Sequence, residues 1–191
     1  MFQFEELDDV TRRCMLEEFR AEWSTNPDKS PRLSAAGLAA FPGLMEAAIL
    51  NGNEVTLARA LANRGYWRPS ELYARGGRGH ARIVNPAKAA QALAITEFNT
   101  WYVRGLSRKL IEEGEKRCEV YRADAAWQPR AECLRHDRAR YDVHTIFDGH
   151  RARYWPPPGN PAALSIPVGP NCHHTIRRIP RIQGQQRVED P

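Results

Sequence analysis

The sequence predicts an α+β fold: a helical N-terminal half with one long central helix, followed by a small, loop-rich, β-containing C-terminal half. Three observations carry this expectation. An amphipathic period opens the chain, a capped apolar and aromatic run spans residues 86 to 113, and beyond residue 117 the pattern changes to short alternating pieces broken by Pro and Gly. Across the 191 residues, 42% are hydrophobic and 27% charged, a balance that supports a packed core over most of the length.

In order along the chain, Phe4 to Trp23 places Leu7, Met15, Phe19 and Trp23 on one helical face, with Val10 and Cys14 beside them. Such a face needs a partner, either the rest of this chain or a docking surface elsewhere. Ser24 to Pro31 holds two prolines among polar residues and reads as a linker. Pro42 fits the first turn of a helix running to Leu50, stopped by Asn51-Gly52. A second short helix fits Asn53 to Asn63, with Asn53 as N-cap, Leu57 and Leu61 one turn apart, and Gly65 as terminator. Residues 65 to 85, with Arg75-Gly76-Gly77-Arg78-Gly79 at their centre, read as a loop or a short hairpin. This Gly and Arg mixture lacks the spacing of a P-loop or a dinucleotide fingerprint.

The long helix is predicted from Pro86 to about Glu113, with Asn85 as cap, Pro86 at the first helical position and Gly114 closing it. Ile95, Phe98, Tyr102, Leu106 and Leu110 form its apolar stripe, and a stripe at this period is expected to be core. Cys118 to Arg122 alternates as a strand. The remainder to Pro180 mixes strand-like pieces such as Val143 to Phe147 with turns at Asp148-Gly149 and around Pro156 to Pro161. These boundaries divide the chain into a helical docking region at 1–85, a second unit at 86–180 and a basic to mixed-charge tail at 181–191.

The candidate chemistry lies in the second half. Cys133-Leu134-Arg135-His136 is a C-x2-H pair and Cys172-His173-His174 supplies a second pair further on. Two such pairs brought together by a fold make the four N and S ligands of a closed structural zinc site, formed by Cys133, His136, Cys172 and His174. The alternative is that the cysteines are buried apolar residues and the histidines surface ones. Catalytic patterns are missing. There is no H-E-x-x-H, no Pro-Cys-x-x-Cys deaminase signature and no Gly-x-Ser-x-Gly elbow, so an enzyme is not expected.

The net charge is +5, and the end of the chain concentrates Arg177, Arg178, Arg181 and Arg187. This basic stretch is either a nucleic-acid contact or a solvated end. The acidic start carries no secretory signal and no long apolar run is present, so neither export nor a membrane span is expected. Four scattered cysteines suit a reducing cytoplasm rather than a disulfide framework.

The run Ala92 to Leu106, with Thr96-Glu97-Phe98-Asn99 followed by Tyr102 and Gly105, resembles the phage Mu F-like head morphogenesis family. The resemblance continues through Gly114, Cys133-x2-His136, Asp148-Gly149 and Pro170-Asn171-Cys172-His173-His174-Thr175-Ile176, covering about residues 90 to 180. Members show Cys-x2-Cys and Pro-x-Cys-Arg-Cys where this chain has histidine at His136 and His174. The resemblance implies a minor capsid protein of a bacteriophage virion, made in the host cytoplasm and bound into an oligomeric assembly. Its implied partners are the portal, capsid or neck proteins and packaged double-stranded DNA, with no catalysis and with structural zinc. Two alternatives stay open: a ring-forming head-to-tail adaptor, in which residues 133 to 174 would make subunit contacts, and a small zinc-containing DNA-binding protein or nuclease using the His173-His174 doublet.

Overall fold

The computed structural model describes residues 2–23, 32–75, 78–124, 131–154, 159–169 and 172–180. The α+β class holds. The first half is helical, with α1 (Asp9–Trp23), α2 (Ala35–Asn51) and α3 (Glu54–Leu61). A hairpin of β1 (Ser70–Arg75) and β2 (Arg78–Ile83) follows, then α4 (Pro86–Glu112). The second half comprises β3 (Arg117–Arg122), α5 (Ala131–Leu134), β4 (Arg140–Asp142), α6 (Val143–Tyr154) and β5 (His174–Arg178). The expected linker at 24 to 31 lies outside the described residues.

α4 begins where its local chemistry dictates. The Asn85 side chain accepts from the Lys88 N–H, Pro86 occupies the first turn, and Gly114 takes φ +74° just past the end. Its middle is buried all round, because α1, α3, α6 and β5 each pack on it. Phe98, Trp101, Tyr102, Leu106 and Leu110 are fully enclosed, with Met15 and Phe19 of α1, Phe41 and Met45 of α2 and Leu57 and Leu61 of α3 in the same core. α1 lies close against α4 at Gly105, where even a Cβ would come within 2.5 Å of Met15 Cγ.

One charged residue is sealed into this interface. Arg104 is wholly buried, and its guanidinium pairs with Glu18 at 2.6 Å and with Glu22, both on α1; Arg151 of α6 adds a contact to Glu18 at 3.1 Å. The pairing is required, since an unmatched charge at such a depth would be strongly destabilising.

Several local expectations are corrected. α2 starts seven residues before Pro42, because Ser34 Oγ accepts from the Gly37 N–H and caps it, which leaves Pro42 inside the helix. α3 stops at Leu61, and a 3-10 turn over Arg64–Tyr66 capped by Asn63 follows, so Gly65 does not terminate the helix. α1 begins at Asp9 rather than Phe4, and the preceding residues pack along the second half with a turn at Glu5 and Glu6: Gln3 N–H donates to Ala123 O at 3.0 Å, and the Phe4 ring packs on Phe98 and Tyr102. Val143 to Phe147 is helical, not a strand, and Asp148-Gly149 sits within α6 rather than in a turn. Asp142 nucleates that helix by accepting from the Thr145 N–H at 2.9 Å. Gly149 is needed because the Leu164 carbonyl lies where a side chain would be.

Within the stretch expected as a loop or short hairpin, β1 and β2 pair antiparallel from Ser70↔Ile83 to Arg75↔Arg78. The second sheet has the order β4-β3-β5, antiparallel throughout, with Val120 opposite Ile176 and Arg122 opposite His174. The central strand therefore joins the two segments that hold the cysteine and histidine pairs.

Candidate metal centre

Cys133 lies in α5, and the chain then turns sharply back onto β3. The turn is held by His136 N–H to Cys133 O at 3.1 Å and Ala139 N–H to His136 O at 3.1 Å. Arg138, at φ +59°, donates its N–H to Val120 O at 2.8 Å, fixing the turn to the central strand. On the other side of β3, Ala123 N–H donates to His173 O at 2.9 Å, which sets Cys172 and His174 around the first residue of β5.

This folding brings Cys133, Cys172 and His174 together, with their donor atoms all within 4.8 Å of one another. All three are buried, at 7%, 4% and 1% exposure. Cys172 Sγ lies 3.9 Å from His174 Nδ1. A tetrahedral zinc site with Zn–S of about 2.3 Å and Zn–N of about 2.0 Å has an S to N edge of about 3.5 Å, so a contraction of a few tenths of an ångström would bring the pair to metal-binding distance. The other ring nitrogen, Nε2, faces Asp137 Oδ1 at 3.7 Å. At that distance Nε2 is not hydrogen-bonded, and the carboxylate would have to close by several tenths of an ångström to orient the ring as it does at metal-binding histidines. The donor set of two sulfurs and one imidazole fits a borderline-soft divalent ion and is poor for magnesium or calcium.

Burial shapes the electrostatics. It pushes the Cys172 thiol up, against the pull of the His174 and Val168 backbone N–H groups, and it pushes His174 down, with Asp137 opposing. His174 is therefore favoured in the neutral form that a metal requires.

The fourth expected ligand, His136, is not in the cluster. Its Nδ1 and the Tyr141 hydroxyl are hydrogen-bonded at 2.7 Å, and its charge is felt at His174. It stands on the same turn as Cys133 with Nε2 as its remaining donor atom. The expected basic residues are placed differently. Arg177 pairs with Glu119 at 2.7 Å and Glu5 at 2.9 Å, and Arg178 with Glu6 at 3.3 Å, Glu115 at 3.0 Å and also Glu113. Both guanidiniums are thus matched by carboxylates of this chain. Arg181 and Arg187 lie outside the described residues.

Two contributors were not foreseen. Asp137 follows His136 directly and was signalled only by that adjacency. Asn99 of α4 donates its side-chain N–H to His174 O at 2.8 Å, and its place in the Thr96-Glu97-Phe98-Asn99 motif was the available sign. All four cysteines are free and buried, and no helix among the described residues is long and apolar enough to cross a membrane. Comparison with protein-family models, curated proteins and solved structures gives no match to this chain.

Proposed function

We propose that this chain is a non-catalytic structural component of a bacteriophage head, with a zinc ion held by Cys133, Cys172 and His174, and by His136 once its ring turns from Tyr141 into the cluster. The observation that carries the reading is the burial of all three clustered donors. A catalytic zinc needs an open coordination position reached by substrate, whereas a cluster under a tight turn suits a closed, fold-stapling site. Bound there, the metal would supply no reaction. It would tie the 133–139 turn to the start of β5 across the central strand, in a half whose own apolar core is small.

The head assignment rests on the resemblance to the Mu F-like family and is supported by where its motif residues meet. Asn99 from the helical motif contacts the backbone of His174 from the terminal motif, 75 positions away. Motifs that serve one architecture are expected to converge in this way. Two measurements test the proposal. Metal analysis of the purified chain should give close to one zinc per molecule. Density-gradient purification of particles from the producing host should retain the chain alongside portal protein; a chain that never enters particles would end the head reading while leaving the zinc reading to its own measurement.

A further inference from the structure

Away from the metal centre, α3, α4 and the N-terminal segment enclose a cavity of about 370 Å³. Its walls include Phe2, Val55, Ala58 and Ile95, while Glu54 and Asp124 bring carboxyl groups to it and Arg59 stands exposed at its edge. Glu54 is 3% exposed. One of its oxygens, Oε1, accepts the Phe2 N–H at 3.0 Å; the other, Oε2, is buried with no hydrogen-bond partner. A buried acceptor in that condition is costly, because it has lost water and gained nothing in return.

We propose that this cavity is a binding site for an organic cation, an ammonium or guanidinium head on a short apolar stem, with Glu54 Oε2 as its principal acceptor. The site is amphipathic in the required sense. Aromatic and aliphatic walls take the stem, and a second carboxyl at Asp124 adds negative charge beside the first. A cation at Oε2 turns an isolated buried carboxylate into a charge-assisted hydrogen-bonded pair, the arrangement in which buried charge is tolerated. Burial raises the Glu54 carboxyl above its ordinary range, outweighing the Phe2 N–H that favours its ionised form. The same chemistry has two sources, a free small amine or the Lys or Arg side chain of a neighbouring protein.

The test titrates the full-length chain with n-butylammonium, n-butylguanidinium, neutral n-butanol and Nα-acetyl-lysine amide, following backbone amide chemical shifts. Both butyl cations should saturate shifts at Val55, Ala58 and Ile95, and n-butanol should not. Acetyl-lysine amide binding like butylammonium assigns a side-chain source; its exclusion assigns a free amine. Glu54→Gln keeps an oxygen for the Phe2 N–H and should weaken the cations by about tenfold or more, the scale of a lost charge-assisted hydrogen bond. Ala58→Phe, which fills the cavity while keeping both carboxyl groups, should abolish binding with zinc content unchanged, and it decides the matter if Glu54→Gln does not fold. Equal binding of n-butanol, no saturation by either cation, or unaltered affinity in Ala58→Phe overturns the proposal.

Discussion

The side-chain amide of Asn99 donates to the main-chain carbonyl of His174 at 2.8 Å, tying the middle of α4 to the first residue of β5. The helix thereby sets the height of a candidate metal ligand through that residue's backbone and leaves the buried imidazole to its own contacts. Asn99→Ala removes the donor and leaves a buried carbonyl unsatisfied, so a loss of about 1 to 3 kcal/mol is expected. Chelator competition should show weaker zinc retention in the same variant. A denaturant midpoint and a zinc affinity both equal to wild type would show that the bond positions nothing.

The metal reading predicts a pattern of thiol reactivity. Cys14 and Cys118 are buried and their thiols are pushed up by burial, Cys118 to about 12, so iodoacetamide should not modify them in the folded chain. Cys133 and Cys172 should be protected while zinc is bound and become reactive after chelation. Cys133→Ala and Cys172→Ala should each lose the zinc and melt at lower temperature. His136→Ala should bind zinc more weakly if that ring completes the site, whereas Tyr141→Phe should retain it. Full reactivity of Cys133 in the zinc-loaded chain would remove the cluster as a metal site.

Acid should destabilise the metal-free chain. Burial lowers His136, His173 and His174 below the ordinary histidine value of about 6.5, so on acidification the unfolded chain binds protons before the folded one. Stability from these groups is complete above about pH 6.5 and is lost as the pH falls through their lower folded values. Urea midpoints measured through this range should rise with pH, and His174→Gln should flatten the rise. A midpoint independent of pH between 5 and 7, or about that window, would contradict the burial of these rings.

Arg104 offers a sharp mutational contrast. Arg104→Ala leaves the buried Glu18 and Glu22 with the more exposed Arg151 and Arg108 as cations, and a cost of about 3 kcal/mol follows from the loss of their buried partner. Replacing all three with apolar residues of similar volume should recover most of that loss, because the ion group is stabilising mainly relative to its broken forms. Equal unfolding free energies for the single and triple variants would refute this account.

At Gly105 the packing leaves no room for a methyl group. Gly105→Ala gains up to about 1 kcal/mol of helix propensity but drives Cβ against Met15 Cγ at 2.5 Å and Met15 N at 2.7 Å. Because the backbone of α1 must move, a net destabilisation of about 1 to 3 kcal/mol is expected in thermal or urea unfolding. A more stable variant would show that α1 shifts without cost.

The legible parts of the fold are those specified locally. Asn85, Pro86 and Gly114 mark α4 because capping and backbone preference act within one turn, and Asn53 marks α3 for the same reason. Gly149 misled because its reason is distant: the Leu164 carbonyl, not a turn, excludes a side chain there. Val143 and Ile146 satisfy a strand or a helix about equally over so short a run, and the capping role of Asp142 decides between them. At the site, residue types identified Cys133, Cys172 and His174, but spacing alone drew His136 in as an equal member. The hydroxyl of Tyr141, five positions on, engages that ring instead, and no pattern of spacing encodes such a geometry.

The segment before α1 is held by residues at the far end of the described fold. Glu5 meets Arg177 and Glu6 meets Arg178, partners separated by 172 positions, while Gln3 hydrogen-bonds the backbone beyond β3. A nascent chain that ends before residue 177 offers neither carboxylate its counterpart. Pairs so far apart in sequence carry a large loop-closure cost, so this segment is among the last parts of the described fold to reach its native neighbours.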